Sequence, residues 1–316
     1  MRKSILSLIV FLASLLGASA HAGPSYSAFY VFGDSLSDTG NAALAVGTAS
    51  PPYTDLIPAQ PYDLSGTFSN GSVWSDYLAA SLGVPSEPSL ALGTNFAVGG
   101  SRTDVILSQV VGGGALPGYL TSTGGIADPA ALYAIWGGGN DLRDVLMGAD
   151  PTTTIGTAIA NLQNSLVSLI TAGASEFIVL NAPDLGLVPA VSLSGGSAAG
   201  TLVSQMFNSG LSLMLDGIEG TFGVTIHEVD TFGLLNRVVT DPASFGLLDV
   251  ASPCIALGPC SEPDTFLFWD GIHPTTIGHA LIAEEAYRVA FISVPAGSFL
   301  FLIGAFSMLW VRAARA

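Results

Sequence analysis

Residues 28–41 read AFYVFGDSLSDTGN. Ala28 to Phe32 is an unbroken apolar run, Gly33 punctuates it, and a polar turn carrying Asp34, Ser35, Ser37 and Asp38 follows. A short apolar run halted by glycine marks a buried strand that feeds a turn. The same pattern recurs along the chain. Asn95 to Val98 ends in Gly99-Gly100, Ala131 to Trp136 ends in three glycines, Glu176 to Asn181 runs into APDLG, and Thr225 to Val229 is a fifth run. Helical periodicity fills the gaps. Ile155, Ile159, Leu162, Leu166 and Leu169 share one face of a helix over Thr154–Ala172, with further helices over Ala198–Ile218 and Thr276–Phe291. Strands alternating with helices predict an α/β protein, three layers deep, around a parallel five-stranded sheet. Fully buried strands account for the lack of apolar–polar alternation. In such a sheet, ligands gather at the carboxyl ends of the strands. The turns after the first three runs, and the loop into the last helix, therefore converge on one edge.

The two termini read differently. Arg2 and Lys3 precede the apolar run Ile5–Leu16, and Ala20-His21-Ala22 is a small-residue cleavage pattern, so residues 1–22 are expected to be a secretory signal peptide. Residues 23–291 form the body, a single domain without an internal linker. Residues 292–316 open with a charge-free stretch, Ile292–Val311, long enough to span a bilayer, and carry Arg312 and Arg315 after it. This tail resembles a PEP-CTERM sorting signal, although Ala296-Gly297 stands after Val294-Pro295 where that family has Glu-Pro. The resemblance implies export machinery and an exosortase as partners, with a permanent membrane anchor as the alternative. The expected location is the periplasm, cell envelope or exterior.

Of 316 residues only 10% are charged, and the formal net charge is −16. Between the termini the only basic side chains besides histidine are Arg102, Arg143, Arg237 and Arg288. Such a surface repels phosphate backbones, which excludes nucleic acid as a partner. Cys254 and Cys260 are the two cysteines, and in an exported chain they are expected to pair. Two cysteines without a nearby histidine are too few ligands for zinc, so no metal is expected, and no nucleotide-binding or other cofactor motif is present.

The turn residues carry the chemistry. Ser35 sits where the first strand ends, a place that exposes a hydroxyl, although by itself it also reads as a helix N-cap. Gly100 can present a backbone N–H at close range. Asn140, in GGGND, offers an amide, and Asp270 and His273 stand three apart in FWDGIHP. Asp38 and Asp141 read as acceptors that shape loops, and His227 and His279 as structural side chains. Taken together, GDS, a glycine after the second run, GGND and a terminal D-x-x-H resemble the GDSL, or SGNH, esterases and lipases. GTFSNGSVWSDYLA (66–79) and LNAPDLGLVPA (180–190) are similar to the family's secreted bacterial branch. No G-x-S-x-G elbow is present.

The resemblance implies an SGNH-hydrolase, flavodoxin-like fold and a serine esterase acting on lipid, short-chain acyl or acetylated-glycan esters. Carried over by position, Ser35 is the nucleophile, His273 the base and Asp270 its support, with the Ser35 and Gly100 N–H groups and the Asn140 amide as the oxyanion hole. An acyltransferase or a polysaccharide O-deacetylase would use the same residues. Phe68, Trp74, Trp136, Phe268 and Trp269 are candidates to line an acyl pocket, with ordinary core packing as the alternative.

Overall fold

The computed structural model describes residues 25–48, 62, 66–256 and 258–292. The signal-peptide and sorting-tail readings fall outside the described residues, apart from Ile292.

Four strands, Phe29–Gly33 (β1), Leu132–Trp136 (β2), Glu176–Leu180 (β3) and Thr225–Val229 (β4), pair in parallel in the order β1-β2-β3-β4. The register sets Val31 beside Ala134, Ala134 beside Ile178, and Ile178 beside His227. All five residues of β2 are buried, as a strand covered on both faces requires.

The second of the five expected strands, Asn95–Val98, is the one departure in the sheet. Its chain does lie along β1: Val31 N–H donates to Thr94 O (3.2 Å), Phe96 N–H to Val31 O (2.7 Å) and Val98 N–H to Gly33 O (3.1 Å). Yet only a single parallel bridge forms there, Val31 to Asn95. The Asn95 side chain explains why. Its Oδ1 accepts from Ala97 N–H (2.9 Å), an Asx turn that bends the chain out of a regular pleat. The sheet therefore has four strands, with residues 94–98 occupying the fifth position at its edge. Counting that segment, the order is that of a flavodoxin-like doubly wound sheet, whose switch point lies between β1 and β2.

The seven longer helices among the described residues are Trp74–Leu82 (α1), Thr103–Val111 (α2), Gly139–Leu146 (α3), Pro151–Ala172 (α4), Ser197–Phe222 (α5), Thr231–Thr240 (α6) and Thr276–Phe291 (α7). Helices α2, α4 and α5 pack side by side on one face, and α1, α7 and α6 on the other. Helix α4 starts three residues earlier than its apolar period indicates. Asp150 caps it by accepting from Thr153 N–H (2.8 Å), and Pro151 fills the first position, where its missing N–H costs little. The last helix, α7, has the bounds expected from its sequence, with Thr275 as its cap.

A second, two-stranded parallel sheet joins Asp249–Pro253 (β5) to Phe266–Phe268 (β6). Cys254 and Cys260 are disulfide-bonded just beyond β5, their Cα atoms 5.4 Å apart. Cys254 N–H donates to Phe268 O (2.9 Å), so the bridged loop is tied to the strand that leads into Asp270.

Candidate active site

Ser35 stands in the turn directly after β1. A buried glutamine on α2 fixes the strand end: Gln109 Oε1 accepts from Gly33 N–H (2.9 Å) and its Nε2 donates to Gly33 O (2.8 Å). Gly33 must be glycine here, since a Cβ would lie 2.6 Å from Trp136 O. Asp34 shapes the turn by accepting from Leu36 N–H (3.0 Å). Asp38, fully buried, accepts from Gly40, Asn41 and Ala42 N–H and, across the sheet edge, from Gly99 N–H (2.8 Å). The loop-shaping role expected of Asp38 is thus specific: it ties the serine turn to the glycine turn of Gly99-Gly100.

The histidine comes from a tight loop between β6 and α7. Trp269 N–H donates to His273 O (2.9 Å) and Thr275 N–H to Leu267 O (2.9 Å), closing the loop at its base. Inside it, Asp270 Oδ1 accepts from the N–H groups of Ile272 (2.7 Å) and His273 (2.8 Å). Asp270 Oδ2 lies 2.7 Å from His273 Nδ1, and His273 Nε2 lies 2.8 Å from Ser35 Oγ. Asp270 has no exposed surface, and His273 is 2% and Ser35 9% exposed. Burial pushes the Asp270 carboxyl up. The facing imidazole and the bonds it accepts more than reverse this, leaving it below the usual carboxylate range. The Tyr62 hydroxyl also donates to Asp270 Oδ2 (2.9 Å), and Phe68 packs on the imidazole with ring centroids 5.4 Å apart.

Opposite the histidine, α3 begins at the end of β2. Asn140 Nδ2 donates to Ser101 O (2.9 Å), and its Oδ1 accepts from Arg143 Nη1 (3.2 Å). Asp141 accepts from Thr103 N–H (3.1 Å) and Oγ1 (2.8 Å), joining the starts of α2 and α3. Gly100 is exposed with φ +78°, a left-handed conformation that favours glycine. Its flanks are held on both sides, by Asp38 at Gly99 and by Asn140 at Ser101. Among the described residues, neither the Ser35 nor the Gly100 N–H has a protein acceptor. Ser35, Asn140, Arg143 and His273 line one cavity, with Gly100 outside its wall.

Of the aromatic candidates, Trp136 and Phe268 line a neighbouring cavity. Trp74 is core, packed edge-on against Phe29 and Trp136. Trp269 packs with Phe68 and Tyr62 in a small cluster beside the site. His279 is wholly buried, and burial, aided by the charge of His273, pushes its pKa down to about 3, so it stays neutral. His227 meets Glu176 across β4 and β3 (3.2 Å) and tilts on Phe291. Both are structural, as expected.

Three residues near the reacting atoms escape the motif reading. Tyr62 and Gln109 carry no local signal. Arg143 does: it is three positions from Asn140 on one helix, a spacing that brings side chains together.

Burial drives the Asp34 and Asp38 carboxyls up from an ordinary value near 3.8 to about 6, against the N–H groups each accepts from. A carboxyl with a raised folded value binds protons more readily in the folded state, so its contribution to stability falls as pH rises from about 4 through about 6. Asp270 has the opposite sign: its stability contribution is present above about 4 and is lost in stronger acid. His279, held neutral, works the other way, because the unfolded chain takes up a proton there as pH falls below 6.5. The carboxyl effect is therefore read by comparison: from about pH 8 to about pH 5 the thermal midpoint of Asp34→Asn is expected to change less favourably than that of the wild type, by a few degrees. An identical pH response in the two proteins would contradict this assignment.

The doubly wound parallel sheet thus carries Ser35, His273 and Asp270 in line beside its switch point, and the serine turn is not a G-x-S-x-G elbow. Residues 29–286 match the GDSL-like lipase/acylhydrolase family model, and the chain belongs to that family. It is 31% identical over 324 residues to esterase EstA of Pseudomonas aeruginosa, covering 88% of this chain and 49% of that protein. It is 28% identical over 320 residues to the GDSL esterase/lipase At1g73610 of Arabidopsis thaliana, covering 84% of this chain and 90% of that one. The chain spans about half the length of the Pseudomonas relatives it matches. A catalytic variant of the acetylxylan esterase Axe2 from Geobacillus stearothermophilus shares the fold, with TM-score 0.50 and 13% identity over 86% of this chain and 98% of that one.

Proposed function

We propose that this protein is a serine esterase that cleaves carboxylic esters through an acyl-enzyme. The observation that carries the reading is the 2.8 Å approach of His273 Nε2 to Ser35 Oγ across 238 positions of sequence. A serine hydroxyl is a weak nucleophile without a base at that range. In the proposed sequence, Ser35 Oγ attacks the ester carbonyl carbon while His273 Nε2 takes its proton. The tetrahedral oxyanion collapses, the C–O bond to the alcohol breaks, and the alkoxide leaves with the proton from His273. Water then attacks the acyl carbon and gives a proton to His273. Collapse of the second intermediate returns that proton to Ser35 Oγ and frees the carboxylic acid. Asp270 keeps a proton on Nδ1, so that Nε2 is the basic nitrogen, and it stabilises the imidazolium.

The Asn140 amide and the N–H groups of Ser35 and Gly100 are the proposed oxyanion donors. Donors fixed before the charge forms lower the barrier most, and Ser101 and Arg143 hold the Asn140 amide on both sides. Asn140→Ala is expected to lower kcat on p-nitrophenyl butyrate by about 10²–10³ with little change in KM. An unchanged kcat would remove Asn140 from the hole. The reading as a whole is tested by hydrolysis of p-nitrophenyl butyrate by the purified 23–291 body. Absence of turnover above the buffer rate would reject it.

The leader at residues 1–22 and the apolar tail at 292–316 support export and sorting at the cell envelope as part of the same proposal. Mass spectrometry of the exported protein is expected to find a start near Gly23 and an end near Pro295. Recovery of Ala316 at the terminus would reject processing of the tail.

A further inference from the structure

A second cavity adjoins the one that holds Ser35 and His273. The two share five wall residues: Leu36, Trp136, Pro183, Val188 and Ile272. The remaining walls of the second cavity come mainly from α6 (Leu234, Leu235, Val238) and α7 (Leu281, Ile282). Its lining includes one hydroxyl side chain, Thr231, which is already spent in donating to Asn181 O (2.6 Å). The first cavity differs: Asp34, Asn140 and Arg143 supply polar groups around the reacting atoms. A sugar placed in the second cavity would leave its hydroxyls without partners, which is costly, whereas hydrocarbon gains from the same burial.

Resting on the esterase reading, we infer that this second cavity binds the acyl chain of the substrate and that Leu235 and Leu281 help set the chain length accepted. The substrate class is then esters of short to medium aliphatic acids. An ester has two arms, and the acyl arm is the one assigned here. It stays bonded to Ser35 Oγ after the alcohol has left, and the residue after Ser35, Leu36, is part of the wall common to both cavities. Burial beside Leu36 therefore acts through both acylation and deacylation. Trp136 and Phe268 serve it as side walls, while Phe68 instead holds the imidazole.

The test uses p-nitrophenyl esters from acetate to hexanoate, so that the alcohol is constant. Each methylene buried is expected to raise kcat/KM by about fourfold, on the order of 10² from acetate to hexanoate. Leu235→Trp and Leu281→Phe, which fill the cavity, are each expected to lower the hexanoate-to-acetate ratio of kcat/KM by at least about tenfold. The ratio does not depend on the fraction of enzyme that is folded. A wild-type profile that falls with chain length, or a ratio unchanged in both variants, would overturn the inference while leaving the esterase reading intact. So would a matching response in alkyl acetates of growing alcohol length. Binding decides the matter even without turnover. Ethyl hexanoate is expected to bind the Ser35→Ala protein in titration calorimetry and to bind Ser35→Ala/Leu235→Trp at least about tenfold more weakly. Equal binding to the two would also overturn it.

Discussion

Ser35→Ala is expected to lower kcat for p-nitrophenyl butyrate by at least about 10⁴, with the fold intact. The loss is large because the proposed pathway has no detour around the Oγ atom. Without it no acyl-enzyme forms, and what remains is water attacking a carbonyl held by the oxyanion donors. The fold should not suffer, because among the described residues the hydroxyl has a single hydrogen bond, to His273 Nε2 at 2.8 Å. Its removal leaves His273 still fixed through Nδ1 by Asp270. Kinetics with the thermal midpoint measured on the same sample check both parts. Full activity in Ser35→Ala would reject the nucleophile assignment.

Asp270→Asn is expected to cost up to about 10⁴ in kcat, by the same logic that applies to serine protease triads. The surroundings of this side chain offer hydrogen-bond donors to both oxygens. Oδ1 accepts from two backbone N–H groups, and Oδ2 meets His273 Nδ1 and the Tyr62 hydroxyl. An asparagine oxygen fits the two backbone N–H groups, which turns its NH₂ toward His273. The amide then donates to Nδ1, the ring proton moves to Nε2, and the base facing Ser35 is lost. Comparing kcat at several pH values separates this from a packing defect, since a tautomer error lowers the rate at every pH where the wild type is active. A fall of less than about tenfold would reduce Asp270 to an orienting role without disturbing Ser35 or His273.

Much of this arrangement is legible in the sequence, for identifiable reasons. Strands β1 to β3 show as apolar runs because both of their faces are buried, and a glycine closes β1 and β2 while Pro183 follows β3. The edge strand β4, TIHEV, is only partly buried and shows less clearly. Ser35 and the Asp270–His273 pair are legible because they sit in loops, and Asn140 because it opens α3, all at the carboxyl ends of the strands, where ligands gather. Other features depend on contacts that no local period encodes. Residues 94–98 have the composition of a strand, but the Asx turn at Asn95 spoils the pleat. The three-residue β6 is too short to show a period, yet it aims the loop that carries His273. Tyr62 reaches Asp270 across 208 positions, and Gln109 braces Gly33 across 76, distances over which a sequence pattern says nothing. Trp74 and Trp136 are alike in sequence as aromatics near strand or helix ends. Only packing separates Trp74, a core residue, from Trp136, which lines both cavities.

The central claim is that Ser35 is the activated nucleophile, and covalent labelling tests it most directly. Phenylmethylsulfonyl fluoride would transfer its sulfonyl group to the activated oxygen, with fluoride leaving. Peptide mass mapping is expected to find one sulfonyl group per chain, on Ser35, with loss of esterase activity in proportion to labelling. An active protein whose sulfonyl group sits on another residue, with Ser35 unmodified, would contradict the account.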